Sequence, residues 1–185
     1  MGKRSDYVRR ERDTYFTPEA AVEPLIDHLP YGHFDYVEPC AGDGRLVKHI
    51  HKLTGGLGKC IFASDIEPKS LGVEANDALD LYFPEGVVDY VITNPPWERK
   101  FLHSFIEHWL EIAPMWLLFD ADWAHTKQAA GYMTYCSKVV SVGRVKWIEG
   151  SKGVGKDNCC WYLFDGVSNS TAPTEFYGRM IVDNS

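Results

Sequence analysis

The sequence contains no long apolar segment, no paired-cysteine motif and no excess of basic residues. No apolar run approaches the roughly 20 residues that a membrane-spanning helix needs, and no signal-peptide segment follows the N-terminus. The five cysteines show no Cys-x-x-Cys spacing, and the histidines have no cysteine or carboxylate partners at metal-ligand spacing. We therefore expect a cytoplasmic protein with reduced thiols and no bound metal.

The charge is unevenly distributed along the chain. The net charge is −7, which is not typical of a nucleic-acid-binding protein, but residues 1–12 and 138–157 each contain five basic and two acidic side chains. Two basic segments on an acidic body can form a local phosphate-binding face. On charge alone, two solvated clusters without a partner explain the pattern more simply.

The length of 185 residues predicts one domain. Residues 1–13 are polar and basic and are predicted to form a flexible arm, followed by a single domain over 14–185. A helix is expected after Thr17, with Thr17 as its N-cap and Pro18 as its first residue. Further helices are predicted over Arg45–Leu53, 101–113 and 125–137, and strands over Phe34–Glu38, 59–64, 87–93, 115–119, 138–148 and Asn158–Phe164.

The alternation of strands and helices predicts an α/β fold with a mixed, mainly parallel sheet. The last two strands follow each other without a helix, so we expect them to pair as a C-terminal antiparallel hairpin. In open sheets of this kind, ligands bind beyond the carboxyl ends of the strands. The residues that follow each predicted strand are therefore the first candidates for chemistry.

The first two strand ends carry features of a cofactor site. After the first strand, Gly42 and Gly44 allow a sharp turn that leads into a helix N-terminus. After the second, Asp65 lies about 20 residues beyond this turn, where a carboxylate can accept hydrogen bonds from ribose hydroxyls. Asp77 and Ala78 provide a third possible contact.

The third predicted strand ends in Asn94-Pro-Pro-Trp97, the most informative tetrapeptide in the chain. The prolines remove two N–H donors and leave the Pro95 carbonyl as a rigid acceptor beside the Asn94 amide oxygen. Two such acceptors suit an amino group with two hydrogens, and Trp97 offers a flat face on which a base can stack. Accepting both hydrogens would free the nitrogen lone pair of an aromatic amine for attack on a methyl group.

The tetrapeptide matches the catalytic motif of methyltransferases that act on exocyclic amino groups. The segment from Glu38 to Gly44 resembles their S-adenosylmethionine turn, Tyr15-Phe-Thr-Pro18 their N-terminal cofactor motif, and the segment from Ser64 to Pro68 their acidic motif. The order of the motifs resembles that of the N6-adenine DNA methyltransferases of the gamma arrangement, in a minimal form without a target-recognition domain.

The resemblance implies a Rossmann-like class I methyltransferase fold and S-adenosylmethionine as the cofactor. It implies that Thr17 and Pro18 flank the methionine part, Glu38 and Gly42 hold the amino end, Asp65 contacts the ribose, and Asp77 and Ala78 contact the adenine. Asn94 and the Pro95 carbonyl would accept from a target adenine, flipped out of the DNA, that stacks on Trp97. Other residues of the matched motifs complete the expected cofactor site: Tyr15, Pro39, Ala41, Gly44, Ile66 and also Asn94. Pro96 completes the expected catalytic motif.

The expected nucleic-acid contacts come from the basic segments. They are Arg9, Arg10 and Arg12 in the arm, Lys152 and Lys156 in a loop, and Trp161 as a second stacking face; a core position for Trp161 explains the sequence equally well. The segment 150–156 has phosphate-loop spacing, but Asp157 replaces the required Ser or Thr. Cys40 is interpreted as a packed thiol in the cofactor turn rather than as a nucleophile.

Two alternatives to adenine in DNA remain open. The same acceptor pair suits an RNA base or the amide of a protein glutamine, although the basic segments weigh against a protein substrate. A non-catalytic cofactor-binding subunit is the other possibility, but such a subunit has no need of an intact Asn94-Pro-Pro-Trp97. The oligomeric state is open, and a homodimer is compatible with the sequence.

Overall fold

The computed structural model describes residues 15–148, 150, 153–166 and 173–179. The basic arm with Arg9, Arg10 and Arg12, and also Lys152, lie outside these residues. The described strands are β1 (Phe34–Glu38), β2 (Gly58–Asp65), β3 (Glu74–Ala75), β4 (Tyr90–Thr93), β5 (Met115–Asp120), β6 (Cys136–Arg144), β7 (Asn158–Phe164) and β8 (Glu175–Tyr177). The helices are α1 (Glu19–Ile26), α2 (Arg45–Leu53), α3 (Arg99–Leu110) and α4 (Ala130–Met133), with a 3-10 helix at Ala121–His125.

The described strands form one eight-stranded sheet in the order β3-β2-β1-β4-β5-β7-β6-β8. The first five strands in this order are parallel, and α2 and α3 connect β1 to β2 and β4 to β5. Strand β7 lies antiparallel between β5 and β6. The predicted α/β class, the mainly parallel sheet and the C-terminal antiparallel hairpin are thus confirmed.

Strand β5 shows why the sheet needs helices on both faces. All of its residues except the last are buried. Trp116 and Leu118 pack on one face with α1 and α2, through Val22, Leu25, Leu46 and Ile50. Met115, Leu117 and Phe119 pack on the opposite face with α3, through Phe105 and Trp109. Because strand side chains alternate between faces, a continuous apolar run of this kind requires cover on both sides.

The predicted helix over 125–137 is wrong. Its first residue ends the 3-10 helix, its middle contains only the four-residue α4, and Cys136 already belongs to β6. Cys136 pairs with Phe164 in β7, so sheet pairing rather than helical periodicity determines the end of this segment.

The remaining differences concern shorter elements and boundaries. The strand predicted over 87–93 begins only at Tyr90, and the strand predicted over 138–148 ends at Arg144. Strands β3 and β8 were not predicted, and both are at most three residues long. None of the helices in the described part of the chain has the length and apolarity needed to cross a bilayer.

Candidate functional site

A cavity of about 1220 Å³ opens at the carboxyl ends of the parallel strands. Its wall combines the ends of β1, β2, β4 and β5 and residues 77–78, which follow β3, with residues 15–17 and part of the β6–β7 loop. Most of the predicted site residues line this one cavity: Tyr15, Thr17, Glu38, Pro39, Ala41, Gly42, Asp65, Ile66, Asp77, Ala78, Asn94, Pro96, Trp97 and Lys156. Pro18, Gly44, Pro95 and Trp161 are not part of the lining.

The turn after β1 brings the backbone to the cavity wall. Gly42 has φ +54° and Gly44 has φ +75°, values that favour glycine because a Cβ is strained there. A Cβ on Gly42 would also lie 3.3 Å from the ring of Phe16, which packs over the turn. Gly44 is the N-cap of α2 and therefore shapes the turn from outside the cavity.

Asp65, the last residue of β2, ties this turn to the neighbouring strand. One oxygen of its carboxylate accepts from the Gly42 N–H at 2.8 Å, and the other accepts from the Glu67 N–H at 2.8 Å. The Gly42 carbonyl in turn accepts from the Lys69 N–H at 2.9 Å. The Asp65 carboxylate therefore stabilises the conformation of the wall as well as contributing charge to it.

Glu38, the last residue of β1, places an unpaired carboxylate oxygen in the cavity wall. The residue is only 2% exposed, and its Oε2 has no hydrogen-bond partner within the described residues. Burial raises the pKa of the Glu38 carboxyl well above its usual range, and the Asp65 and Asp43 carboxylates raise it further. A buried carboxyl with a free oxygen is suited to a cationic ligand group.

The side chain of Asn94, directly after β4, is held from both ends. Its Nδ2 donates to the Tyr15 carbonyl and to the Thr17 Oγ1, both at 3.2 Å, and its Oδ1 accepts from the Trp97 Nε1 at 3.1 Å. Thr17 is 5% exposed. The prediction that Thr17 is the N-cap of α1 is wrong. Pro18 occupies the N-cap position, and it makes no side-chain capping bond.

The two prolines of the tetrapeptide differ in position. Pro96 lines the cavity, whereas Pro95 is buried and does not. No residue in the described part of the chain donates a hydrogen bond to the Pro95 carbonyl. Its proposed role as the second acceptor stays a prediction.

Trp147 extends the aromatic wall and was missed by the sequence analysis. Its ring meets the Trp97 ring edge-to-face, with centroids 5.8 Å apart, and lies 6.2 Å from the Tyr15 ring. Gly155 makes room for it, because a Cβ there would lie 3.2 Å from the indole. The only sequence signal is an aromatic residue within the second basic segment, which also contains Lys156.

Two further predictions concern residues near the site. Trp161 is fully buried, and its Nε1 donates to the Ala21 carbonyl at 2.7 Å, so its prediction as a nucleic-acid stacking face is wrong. It is a core residue because β7 lies between two strands and is covered on both faces. Cys40 is half-buried and lines the cavity, and burial raises the pKa of its thiol well above its usual range, which disfavours a nucleophilic thiolate.

Comparison with known proteins shows the fold. No protein-family model and no curated protein sequence matches the chain. Several solved structures are similar to it. A candidate RNA methyltransferase from Pyrococcus horikoshii has a TM-score of 0.55 and 18% identity, and the match covers 88% of this chain and 91% of that one. A candidate class I S-adenosylmethionine-dependent methyltransferase from Listeria monocytogenes has a TM-score of 0.55 and 12% identity, with 94% and 67% covered, and a methyltransferase subunit of a type I restriction-modification system from Streptococcus thermophilus has a TM-score of 0.54 and 11% identity, with 82% and 44% covered.

The chain has the Rossmann-like fold of class I methyltransferases. The Listeria protein is described as S-adenosylmethionine-dependent. The chain spans less than half the length of the Streptococcus subunit. Identities of 11% to 18% establish the architecture alone.

Proposed function

We propose that this chain transfers a methyl group from S-adenosylmethionine to the exocyclic N6 of adenine in DNA. The observation that carries the proposal is a single cavity containing both halves of the predicted site. Glu38, Gly42 and Asp65 of the proposed cofactor half and Asn94 and Trp97 of the proposed acceptor half line the same cavity. A methyl donor and an amino acceptor held by these two sets of residues would share one cavity, which is the arrangement that direct methyl transfer needs.

The residues present fit this cofactor. The unpaired Oε2 of Glu38 suits the ammonium group of its methionine part, and Thr17 and Pro18 are the proposed neighbours of that part. Asp65 uses each carboxylate oxygen for one backbone bond, which leaves acceptor capacity for ribose hydroxyls. Asp77, Ala78 and the half-exposed Ile66 are the proposed adenine contacts. When bound, the cofactor supplies an electrophilic methyl group on a sulfonium.

The acceptor half would activate and orient the target base. Asn94 Oδ1 accepts one hydrogen of the amino group and thereby increases electron density on the nitrogen. The Pro95 carbonyl is the proposed acceptor for the other hydrogen. Trp97 provides the stacking face that holds the ring, so the chain contributes orientation and electrostatics rather than a covalent intermediate.

DNA is the favoured acceptor because the motif order resembles that of N6-adenine DNA enzymes, and a restriction-modification methyltransferase subunit shares the fold. Lys156, in the cavity lining, is a proposed phosphate contact, together with Arg9, Arg10, Arg12 and Lys152. An RNA base is the second candidate. It is favoured by the match that covers 91% of the Pyrococcus RNA methyltransferase candidate.

Nucleoside mass spectrometry tests the proposal. DNA and RNA would be isolated from a host without adenine methylation that expresses the intact chain or its Asn94→Ala variant. We expect N6-methyladenine in DNA only with the intact chain, and normal cofactor binding by the variant in calorimetry. N6-methyladenine in RNA alone would select the second candidate. No methylated nucleoside in either pool would contradict both.

A further inference from the structure

At each end, the side-chain amide of Asn94 contacts a group that can either only accept or only donate a hydrogen bond. The Tyr15 carbonyl can only accept, and the Trp97 indole N–H can only donate. A reversed amide would place its NH2 group against the indole N–H and its oxygen against the Tyr15 carbonyl. Both contacts would then be repulsive, so the orientation follows from the chemistry of the neighbours.

This orientation uses all the donors of Asn94 but only part of its acceptor capacity. Its two Nδ2 hydrogens are bonded to Tyr15 O and Thr17 Oγ1, both at 3.2 Å. Its Oδ1 accepts one hydrogen, from Trp97 at 3.1 Å, and an amide oxygen can accept two. Toward a ligand in the cavity, Asn94 therefore offers one acceptor and no donor.

We infer that the Trp97 indole N–H and the Tyr15–Thr17 segment act as positioning groups that restrict Asn94 to an acceptor, so that the site selects a methyl acceptor atom bearing a hydrogen. The inference rests on the proposed function and adds to it the groups that hold Asn94 in the orientation of an acceptor. An amino or amide nitrogen satisfies the free position on Oδ1. A ring nitrogen without hydrogen would face the oxygen lone pair and be repelled.

The inference separates two roles of Trp97. Its ring face is the proposed stacking surface, whereas its Nε1–H orients the residue that contacts the target. Replacement of Trp97 by 3-benzothienylalanine separates them, because a sulfur atom takes the place of the N–H and the bicyclic ring is kept. Loss of the donor leaves Oδ1 without its fixed partner, so that only the contacts with Tyr15 and Thr17 still oppose reversal of the amide.

The test compares this replacement with the same replacement at Trp123. The Trp123 indole also donates one hydrogen bond, to His103 Nε2 at 3.2 Å, and Trp123 is not in the cavity lining. At Trp97 we expect kcat to fall about tenfold, as for the loss of one buried hydrogen bond, with KM and cofactor affinity changed less than about twofold. At Trp123 we expect kcat to be unchanged. An unchanged kcat at Trp97 would overturn the inference.

A second measurement needs no methyl acceptor. Solvent exchange of the two Asn94 Nδ2 hydrogens would be followed by NMR, with their signals assigned by their loss in Asn94→Asp. We expect faster exchange in Thr17→Val, which lacks the hydroxyl acceptor, and slow exchange again in Thr17→Ser. Equal rates in all forms would overturn the orientation argument.

The two measurements distinguish the inference from the proposed function. If the intact chain methylates neither DNA nor RNA but the exchange rates change as expected, the amide orientation is supported and the proposed substrate is wrong. If the intact chain methylates adenine N6 and both measurements show no change, the proposed function stands and the positioning role is wrong. A further comparison offers adenine and 1-deazaadenine in the same DNA sequence. 1-Deazaadenine keeps the exocyclic amino group but has no ring N1, so we expect both bases to be methylated on the amino nitrogen. Methylation of adenine on a ring nitrogen would overturn the selection of a hydrogen-bearing atom.

Discussion

The backbone N–H of Gly42 donates a 2.8 Å hydrogen bond to the carboxylate of Asp65, 23 positions further along the chain. The bond joins the glycine turn after β1 to the last residue of β2. A second link supports it, because the Ala41 N–H donates to the Ser64 carbonyl at 2.8 Å. The turn and the acidic residue, which the sequence presents as two separate motifs, therefore form one structural unit.

We predict that Asp65→Ala weakens S-adenosylmethionine binding about tenfold or more. The substitution removes the proposed ribose acceptor and also releases the Gly42 and Glu67 N–H groups that shape the wall. Asp89→Ala is the matched control, because the Asp89 carboxylate likewise accepts a backbone bond, from Asp35 at 2.7 Å, outside the cavity. Calorimetry would measure both affinities, and equal affinities would remove Asp65 from the cofactor site.

Because the pKa of Glu38 is raised, we predict that the stability of the fold depends on pH through this residue. Its pKa is raised in the folded state by burial, so folding favours the protonated carboxyl. Its stabilising contribution is therefore complete below the ordinary pKa of 4.5 and is lost as pH rises through the folded-state pKa. Glu38→Gln should consequently gain in Tm relative to the intact chain as pH increases from about 5 to 8.

Thermal unfolding of both forms over this pH range would check the prediction, with substitution of the exposed Glu111 by Gln as the control. Parallel curves would contradict a raised Glu38 pKa. Calorimetry adds an independent measurement. If the Glu38 carboxylate binds the cofactor ammonium group, binding should release a proton, and the observed heat should vary with the ionisation enthalpy of the buffer. The variation should disappear in Glu38→Gln.

The strand ends were predictable because their signals are local. A buried run followed by glycines, an acid or Asn-Pro-Pro identifies the end of a strand, and the sheet then brings several ends to one edge. Strand β1 and helix α2 match their predicted bounds for this reason. Most of the predicted site residues also line one cavity, although they are widely separated along the chain.

The roles of Thr17 and Trp147 could not be read from local patterns. Thr17 has the spacing of a helix cap, but its hydroxyl accepts from Asn94, 77 positions away. Trp147 reaches Trp97 only because the β6–β7 loop folds back over the cavity. Local patterns assign these residues to a helix cap or to a basic segment, whereas their long-range contacts place them in the cavity wall. Long-range pairing with β7 likewise makes residues 136 and 137 part of β6, although the local periodicity predicts a helix there.

We predict that Trp161→Phe lowers the stability of the fold and leaves nucleic-acid affinity unchanged. The substitution removes the 2.7 Å bond to the Ala21 carbonyl within a buried environment, at a cost of about 1–3 kcal/mol. Chemical unfolding and a DNA-binding titration would measure the two effects. Lys156→Glu is the comparison, because Lys156 lines the cavity, and we expect it to weaken DNA binding. A loss of affinity in Trp161→Phe at full folding would restore Trp161 as a ligand contact.

The last prediction concerns the N-terminal arm, whose residues lie outside the described part of the chain. If Arg9, Arg10 and Arg12 contact phosphates, reversing their charges should weaken DNA binding and reduce the slope of log K against log salt by up to about 3. The reason is that each neutralised phosphate releases roughly one counterion, and this release is independent of base sequence.

A triple reversal elsewhere separates this effect from a general change in net charge. The exposed Lys48, Lys59 and Lys127 lie outside the cavity lining, and their substitution by Glu changes the net charge by the same amount. We expect the control to keep most of the salt slope, because long-range repulsion is screened beyond roughly 10 Å at 0.1 M salt. Equal slopes in both triple variants would show that the arm acts only through net charge, and a slope unchanged from the intact chain would exclude its contact with phosphates.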